Sequence, residues 1–323
     1  MLLTRYKLRF LKTFSLIFIV SILLSCGSKN SLDGIIAFST NQHDRGDWDI
    51  ALMEDGAKLS ILTSNWAMDW GPDFAPDGKR FVYSSEYLSG EIQTVQVPSD
   101  ADPNVFEEQV EEITKNRDLI IMDIDGSNRT QLTEDGGVDD YPTWSPDGKK
   151  IAFISDRTQD VEIYTINVDG SGVKQLTDER GEDWMPDWSP DNKHIAFASV
   201  RSGDWEIYVM DADGGNVKQL TSEPDMDWGP SWSPNGTQIA FASRRSGDWE
   251  IYVMDADGGN VKQLTNEPGE DFEPVWSPNG KMIAYASEIG RHKEIRVIDL
   301  EGNDIEIDYP AWGIPSDWIN PSR

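Results

Sequence analysis

The sequence predicts an all-β fold: a six-bladed β-propeller of four-stranded antiparallel blades, its ring closed by pairing the N- and C-terminal strands. Three observations carry this expectation. The 21-residue phrase RSGDWEIYVMDADGGNVKQLT occurs at 201–221 and again, letter for letter, at 245–265. The motif W-S-P-[D/N] begins at Trp144, Trp188, Trp232 and Trp276, each 44 residues after the last. An I-A-F type segment recurs six times, at 35–38, 81–83, 151–153, 195–197, 239–241 and 283–285. A period of this length with four short strands per unit marks a propeller blade.

The first element in the chain is a leader. Arg5, Lys7, Arg9 and Lys12 precede the apolar run FSLIFIVSILL, and Leu23-Leu24-Ser25-Cys26-Gly27 follows. Basic residues, a short apolar stretch and a small residue before Cys resemble a bacterial lipoprotein signal. The apolar run is short for the ~20 residues of a membrane span. The expected boundaries are a signal peptide over 1–25, a lipid-anchored linker over 26–33, the propeller over 34–318 with an insertion near 86–116, and a tail over 319–323. Lipidation is expected on Cys26, the only cysteine, so no disulfide forms within one mature chain and packing alone must stabilise it. The short linker, at ~3.3 Å per residue, holds the ring close to its membrane. Gly27, where some inner-membrane lipoproteins carry Asp, points to the outer membrane facing the periplasm, with the cell surface as the other location.

Each repeat then reads as a blade. I-A-F-A-S alternates large and small side chains at period two, as a strand packed between two sheets does. S-P-D-G supplies a turn, with Pro presetting φ and Gly accepting positive φ. D-A-D-G-G-N reads as a hairpin loop. The chain enters at the second strand of a blade near Gly34 and leaves at a first strand, for which Pro310-Ala311-Trp312 is the candidate. Pairing these ends completes the sixth blade and hides two sheet edges. A solenoid would need capping repeats instead. One unit is longer: Phe74 to Trp144 spans 70 residues rather than 44. Its excess near 86–116 contains D-P-N-V-F-E-E-Q-V-E-E-I-T-K, which predicts a short amphipathic helix with Asp102 as N-cap and Pro103 in the first turn.

Charge narrows the partners. The chain has 58 acidic and 28 basic residues, a net charge of −30, with the acids spread throughout. Such a surface repels nucleic-acid phosphate and excludes DNA or RNA as partners. Thirteen Trp residues rule out a disordered acidic chain.

At W-S-P-D-G, I-A-F, E-I-Y-x-M-D-A-D-G-G-N and Q-L-T, the sequence resembles the propeller repeats of TolB and its relatives over nearly all of 34–312. The resemblance implies a six-bladed propeller in the bacterial envelope that acts by binding proteins, as TolB does with the peptidoglycan-associated lipoprotein Pal. TolB carries a small α/β domain before its propeller, whereas here a short linker separates Cys26 from the first strand. TolB is soluble, whereas this chain carries a lipidation signal. Related propellers occur in sugar-acting enzymes and beside peptidase domains, and no peptidase domain is expected here.

Up-and-down blades place the S-P-D-G and D-A-D-G-G-N turns on one face. The loops between second and third strands, and between blades, lie on the other. That second face gathers R-S-G-D-W (Arg201, Asp204, Trp205; Arg245, Asp248, Trp249), Asp47 and Trp48, the D-W pairs Asp69-Trp70, Asp183-Trp184 and Asp227-Trp228, and Asp271-Phe272. Trp faces stack on sugar rings or on Arg and Lys, and Asp accepts their hydrogen bonds. These residues form the candidate ligand-binding face. In the competing reading Arg201 pairs with a neighbouring Asp to fasten adjacent blades, and the Trp residues cover blade edges.

Catalysis finds no motif: the three His residues (His43, His194, His292) form no pair, and no nucleophile elbow or phosphate loop appears. His194 is expected on the solvent side of its strand. The D-x-D-G turns at Asp123-Asp125, Asp211-Asp213 and Asp255-Asp257 lack the Glu of a calcium loop and read as hairpins. No catalytic residue, metal or cofactor is expected. The expected function is a monomeric, non-enzymatic envelope lipoprotein that binds a protein partner on its loop-rich face. The alternative is a glycan-binding or glycan-processing propeller using the Trp/Asp rim.

Overall fold

The computed structural model describes residues 32, 34–41, 48–56, 58–64, 67–86, 117–158, 160–266, 268–290, 292–307 and 311–320. Cys26, Asp47 and the segment expected to be helical lie outside these residues, as does His43. The described residues contain strands and turns and no helix.

Blade 1 contains β1 (Ile35–Thr40), β2 (Asp49–Glu54) and β3 (Lys58–Ile61). Blade 2 is β4 (Asp69–Phe74), β5 (Arg80–Ser85), β6 (Asp118–Asp123) and β7 (Thr130–Gln131). Blade 3 is β8 (Asp139–Trp144), β9 (Lys150–Ser155), β10 (Glu162–Asn167) and β11 (Lys174–Gln175). Blade 4 is β12 (Asp183–Trp188), β13 (His194–Ser199), β14 (Glu206–Asp211) and β15 (Lys218–Gln219). Blade 5 is β16 (Asp227–Trp232), β17 (Gln238–Ser243), β18 (Glu250–Asp255) and β19 (Lys262–Gln263). Blade 6 is β20 (Glu270–Trp276), β21 (Met282–Ile289) and β22 (His292–Asp299). Its fourth strand is reduced to one bridge, Ile298 to Asp304. The last strand, β23 (Ile314–Ile319), pairs antiparallel with β1 and completes blade 1 in the order β23-β1-β2-β3.

Closure through both termini is therefore as expected, but the closing residue is not Trp312. In every other blade the last aromatic of the inner strand sits opposite the first large residue of the second, as Trp188 opposite Ile195 and Phe74 opposite Phe81. In blade 1 that place opposite Ile36 belongs to Trp318, which is 3% exposed, whereas Trp312 is 39% exposed. The chain reaches β23 through Gly313, where a Cβ would collide with the Ser39 carbonyl oxygen, so only glycine fits.

The core lies between blades rather than within them. Six apolar clusters occupy the six seams. The alternation of I-A-F-A-S explains how. Ile195 and Phe197 pack toward blade 3, with Trp188, Tyr208 and Met210. Ala196 and Ala198 face the other way and leave room for Trp232, Ile239 and Phe241 of blade 5. Each blade is large on one side and small on the other, so neighbours nest. A buried large side chain contributes about 1.5–3 kcal/mol, and no blade can bury its own without the next. The outermost strands of blades 2 to 5 are only two residues long, which leaves little edge for another chain to pair with.

Candidate functional site

The inner strands of blades 2 to 6 share the pattern D-[W/F]-x-P, with Asp140 in the aromatic place in blade 3. Pro at the fourth position has no N–H for the ladder, and a bulge follows the aromatic in β4, β12, β16 and β20. The bulge puts residue x in the left-handed region: Gly71 (φ 59°), Tyr141 (48°), Met185 (53°), Gly229 (61°) and Glu273 (54°). Glycine takes this conformation freely, but for the other three it costs about 1–3 kcal/mol each. The bulge carries x and the residues after it to the axis, where they line a cavity of about 100 Å³ together with Ile314, Pro315 and Ser316 of β23.

Three carboxyl side chains line this axial throat, those of Asp73, Asp187 and Glu273, and Asp317 adjoins it. Asp73 and Asp187 line it, each accepting the backbone N–H of the next blade's aromatic, Trp144 (2.6 Å) and Trp232 (2.5 Å). Asp317, between the lining residue Ser316 and Trp318, accepts that of Phe74 at 2.9 Å. These bonds tie inner strands together across three seams. Burial pushes the Asp187 carboxyl up to about 7 and that of Asp317 to about 6. Asp73 is raised well above the carboxylate range by burial and by the neighbouring Asp317. Glu273, the fourth, is raised to about 7 by burial against a smaller opposing effect of Lys293. Burial also raises Tyr141, with Glu273 the next contributor.

Around the mouth above this throat runs a belt of half-buried aromatic rings. Trp48 and Trp70 meet edge-to-face with centroids 4.7 Å apart, and Trp205 and Trp228 likewise at 4.6 Å. Trp184 links Tyr141 (5.8 Å) to Trp228 (6.1 Å). Phe272 carries the Lys293 ammonium 4.5 Å above its ring. The pairs Trp48–Trp70 and Trp205–Trp228 each straddle a seam. At the seam between blades 2 and 3 the equivalent positions hold an ion pair instead, Arg117 with Asp140. Arg117 also reaches Glu86 at 3.4 Å, so the two ends of the 87–116 segment are tied together at the rim.

The predicted face thus divides into two sets. Trp48, Trp70, Trp184, Trp205, Trp228, Trp249 and Phe272 are half-buried around the mouth, and Asp204 and Asp248 are exposed in its loops. Asp69, Asp183, Asp227 and Asp271 are buried. Arg201 donates to Asp183 at 2.7 Å and Arg245 to Asp227 at 2.7 Å. The partner carboxylate lies in the same blade, not the adjacent one. The seam is joined one step further on, by Glu162 of blade 3, which accepts from Thr177 at 2.6 Å and lies beside Asp183 and Arg201. Arg201 also covers the rings of Phe197 and Tyr208, at 5.3 and 5.2 Å. The throat residues Asp73, Tyr141, Asp187, Glu273 and Asp317 escape the sequence reading. Aligning D-[W/F]-x-P across blades would expose position x as the one facing the axis.

The other motifs stay structural. Asp213 caps its hairpin by accepting Gly215 N–H at 3.0 Å, and Asn216 donates to Asp211 at 2.6 Å. His194 stands on the solvent side of β13, 3.8 Å from both Asp191 and Asp211. Among the described residues no three His, Cys, Asp or Glu side chains converge as metal ligands.

These features define a closed six-bladed β-propeller with one aromatic-rimmed axial mouth. Residues 174–308 match the model of the TolB beta propeller domain, and 101–205 match that of the Tricorn protease N-terminal beta propeller domain. The chain is a six-bladed propeller whose repeats are similar to those of TolB. It is 31% identical over 148 residues to a protein TolB homolog from Chlorobium chlorochromatii, a stretch covering 41% of this chain and 33% of that one. The chain spans about a third of the length of the curated relatives it matches. Among solved structures, TolB from Acinetobacter baumannii superposes with a TM-score of 0.71 at 24% identity, over 89% of this chain and 67% of that one. A putative TolB from Agrobacterium tumefaciens gives 0.65 at 21%, over 88% and 91%.

Proposed function

We propose that this chain is a non-enzymatic protein-binding scaffold of the bacterial envelope. It is carried at a membrane by a lipid on Cys26 and docks its partner on the loop-rich mouth of the propeller. The observation that carries the reading is the aromatic belt. Its rings stay half-exposed around one mouth while the Asp and Arg residues beside them are consumed inside the blades. Trp and Tyr grouped at the centre of a face are the residues that anchor protein interfaces. The likeness to TolB supports the protein class of partner and the envelope location. The burial of Asp69, Asp183, Asp227 and Asp271 removes these carboxylates from the Trp/Asp surface on which glycan recognition would draw.

A photo-crosslinking residue placed at Trp228, and another at Asn216 on the opposite face, tests this in living cells. The expected result is one stoichiometric protein adduct from position 228 and none from 216. Adducts from 216 alone, or a glycan array signal lost in Trp184→Ala, would overturn it.

A further inference from the structure

Three carboxyl groups line the throat beneath the aromatic belt, those of Asp73, Asp187 and Glu273, and Asp317 adjoins it; of the four, among the described residues, only Glu273 has a cation acting on it. Asp73, Asp187 and Asp317 come from blades 2, 4 and 1 and Glu273 from blade 6, so acid faces the axis from several sides. Among the described residues no Lys or Arg acts on the first three; their charged neighbours are one another. Lys293 acts on Glu273 alone, from its seat over Phe272. Arg117 is taken by Asp140 and Glu86. The Glu273 side chain makes no hydrogen bond among the described residues, although the residue holds a left-handed backbone conformation that costs free energy. The cavity, about 100 Å³, takes one side chain rather than a folded element.

Resting on the reading that the mouth is a protein-binding face, we infer that the partner inserts one basic side chain, lysine or arginine, between the rings and down the axis to these carboxyl groups. Charge complementarity selects that occupant. A cation entering a site of low dielectric lined by acids gains more from them than it would in water. The ring faces of Trp70, Trp184 and Trp228 attract the same cation on its way in. An acidic side chain meets like charge there and the −30 of the whole chain behind it. A neutral apolar side chain would satisfy the rings and leave the carboxyl groups unmatched.

The test uses three end-capped tripeptides, acetyl-Phe-X-Phe-amide with X lysine, norleucine or glutamate. Titration of the whole protein is followed by the indole N–H signals of Trp70, Trp184 and Trp228 in nitrogen-15 NMR. The lysine peptide is expected to shift these signals and to bind at least tenfold tighter than norleucine. Glutamate is expected to bind weakest. Glu273→Gln and Asp187→Asn are each expected to weaken the lysine peptide severalfold and leave norleucine unchanged. Glu273→Gln removes no side-chain hydrogen bond among the described residues, and the amide that replaces the Asp187 carboxyl retains an oxygen to accept the Trp232 N–H. Equal affinities for lysine and norleucine, lost together in Trp228→Ala, would overturn the basic insertion and leave the mouth as a docking face. No shift with any peptide, joined to no adduct from position 228, would overturn both.

Discussion

Replacing Trp318 by Ala is expected to weaken the whole ring, and replacing Trp312 by Ala is not. Trp318 is 3% exposed, sits opposite Ile36 and belongs to the cluster that joins blades 6 and 1. Removing a large buried aromatic costs about 3–5 kcal/mol in lost transfer and cavity formation. Asp317 beside it holds the Phe74 N–H at 2.9 Å, so loosening this strand weakens two seams together. For a domain of this size, each kcal/mol lowers the melting temperature by about 2–4 °C, so the expected fall is on the order of 10 °C. Trp312, at 39% exposed, should cost less than about 1 kcal/mol. Guanidinium unfolding followed by circular dichroism, with scanning calorimetry as a second probe, measures both variants. Equal losses, or a larger loss at Trp312, would place the closing strand in the wrong register and refute the reasoning.

Further outcomes follow from the same contacts. Asp187, Glu273, Glu162 and Glu206 are held near 7, and Asp69, Asp118 and Asp317 near 6, each mainly by burial. The folded state then binds protons more tightly than the unfolded chain, so this contribution is fully present below about pH 4 and is lost as pH rises from there through 6 to 7. Melting temperature should fall between pH 5 and pH 8 and fall less in the double variant Asp187→Asn, Glu273→Gln; a rising curve would contradict this. Arg201→Ala strands the buried Asp183 beside Glu162 and should cost about 3–5 kcal/mol in denaturant unfolding. Adding Asp183→Asn should recover part of it, and a loss below about 0.5 kcal/mol would mean the pair acts as a surface contact. Cys26→Ala should release the protein from membranes into the soluble fraction, and continued dependence on detergent would show the apolar run is retained.

The repeat makes most of the fold legible. A fixed spacing of 44, the alternation I-A-F-A-S and the turn residues name the blades, because each rests on local geometry that sequence records directly. The closing strand is misread because Trp312 follows a Pro-Ala pair that mimics the motif. Trp318 lacks the S-P-D-G turn after it, since its partner strand β1 comes from the other end of the chain and no hairpin joins the two. The mouth is legible as a gathering of Trp, Asp and Arg, but not its division. Asp183 and Trp184 are adjacent in sequence, yet the strand's alternation sends one into the seam and the other to the rim. The throat is illegible for another reason. Tyr141, Met185 and Glu273 share no chemistry, and only the bulge forced by the following Pro gives them a common place on the axis.

The claim at the centre of this account is that recognition takes place at the aromatic mouth. Hydrogen exchange read by mass spectrometry, on the protein alone and with its crosslink-identified partner, tests that most directly. The account predicts added protection at 67–73, 181–186, 225–231 and 268–274, where the inner strands enter the funnel. Protection confined to the opposite turns, at 145–149, 189–193 and 233–237, would contradict it.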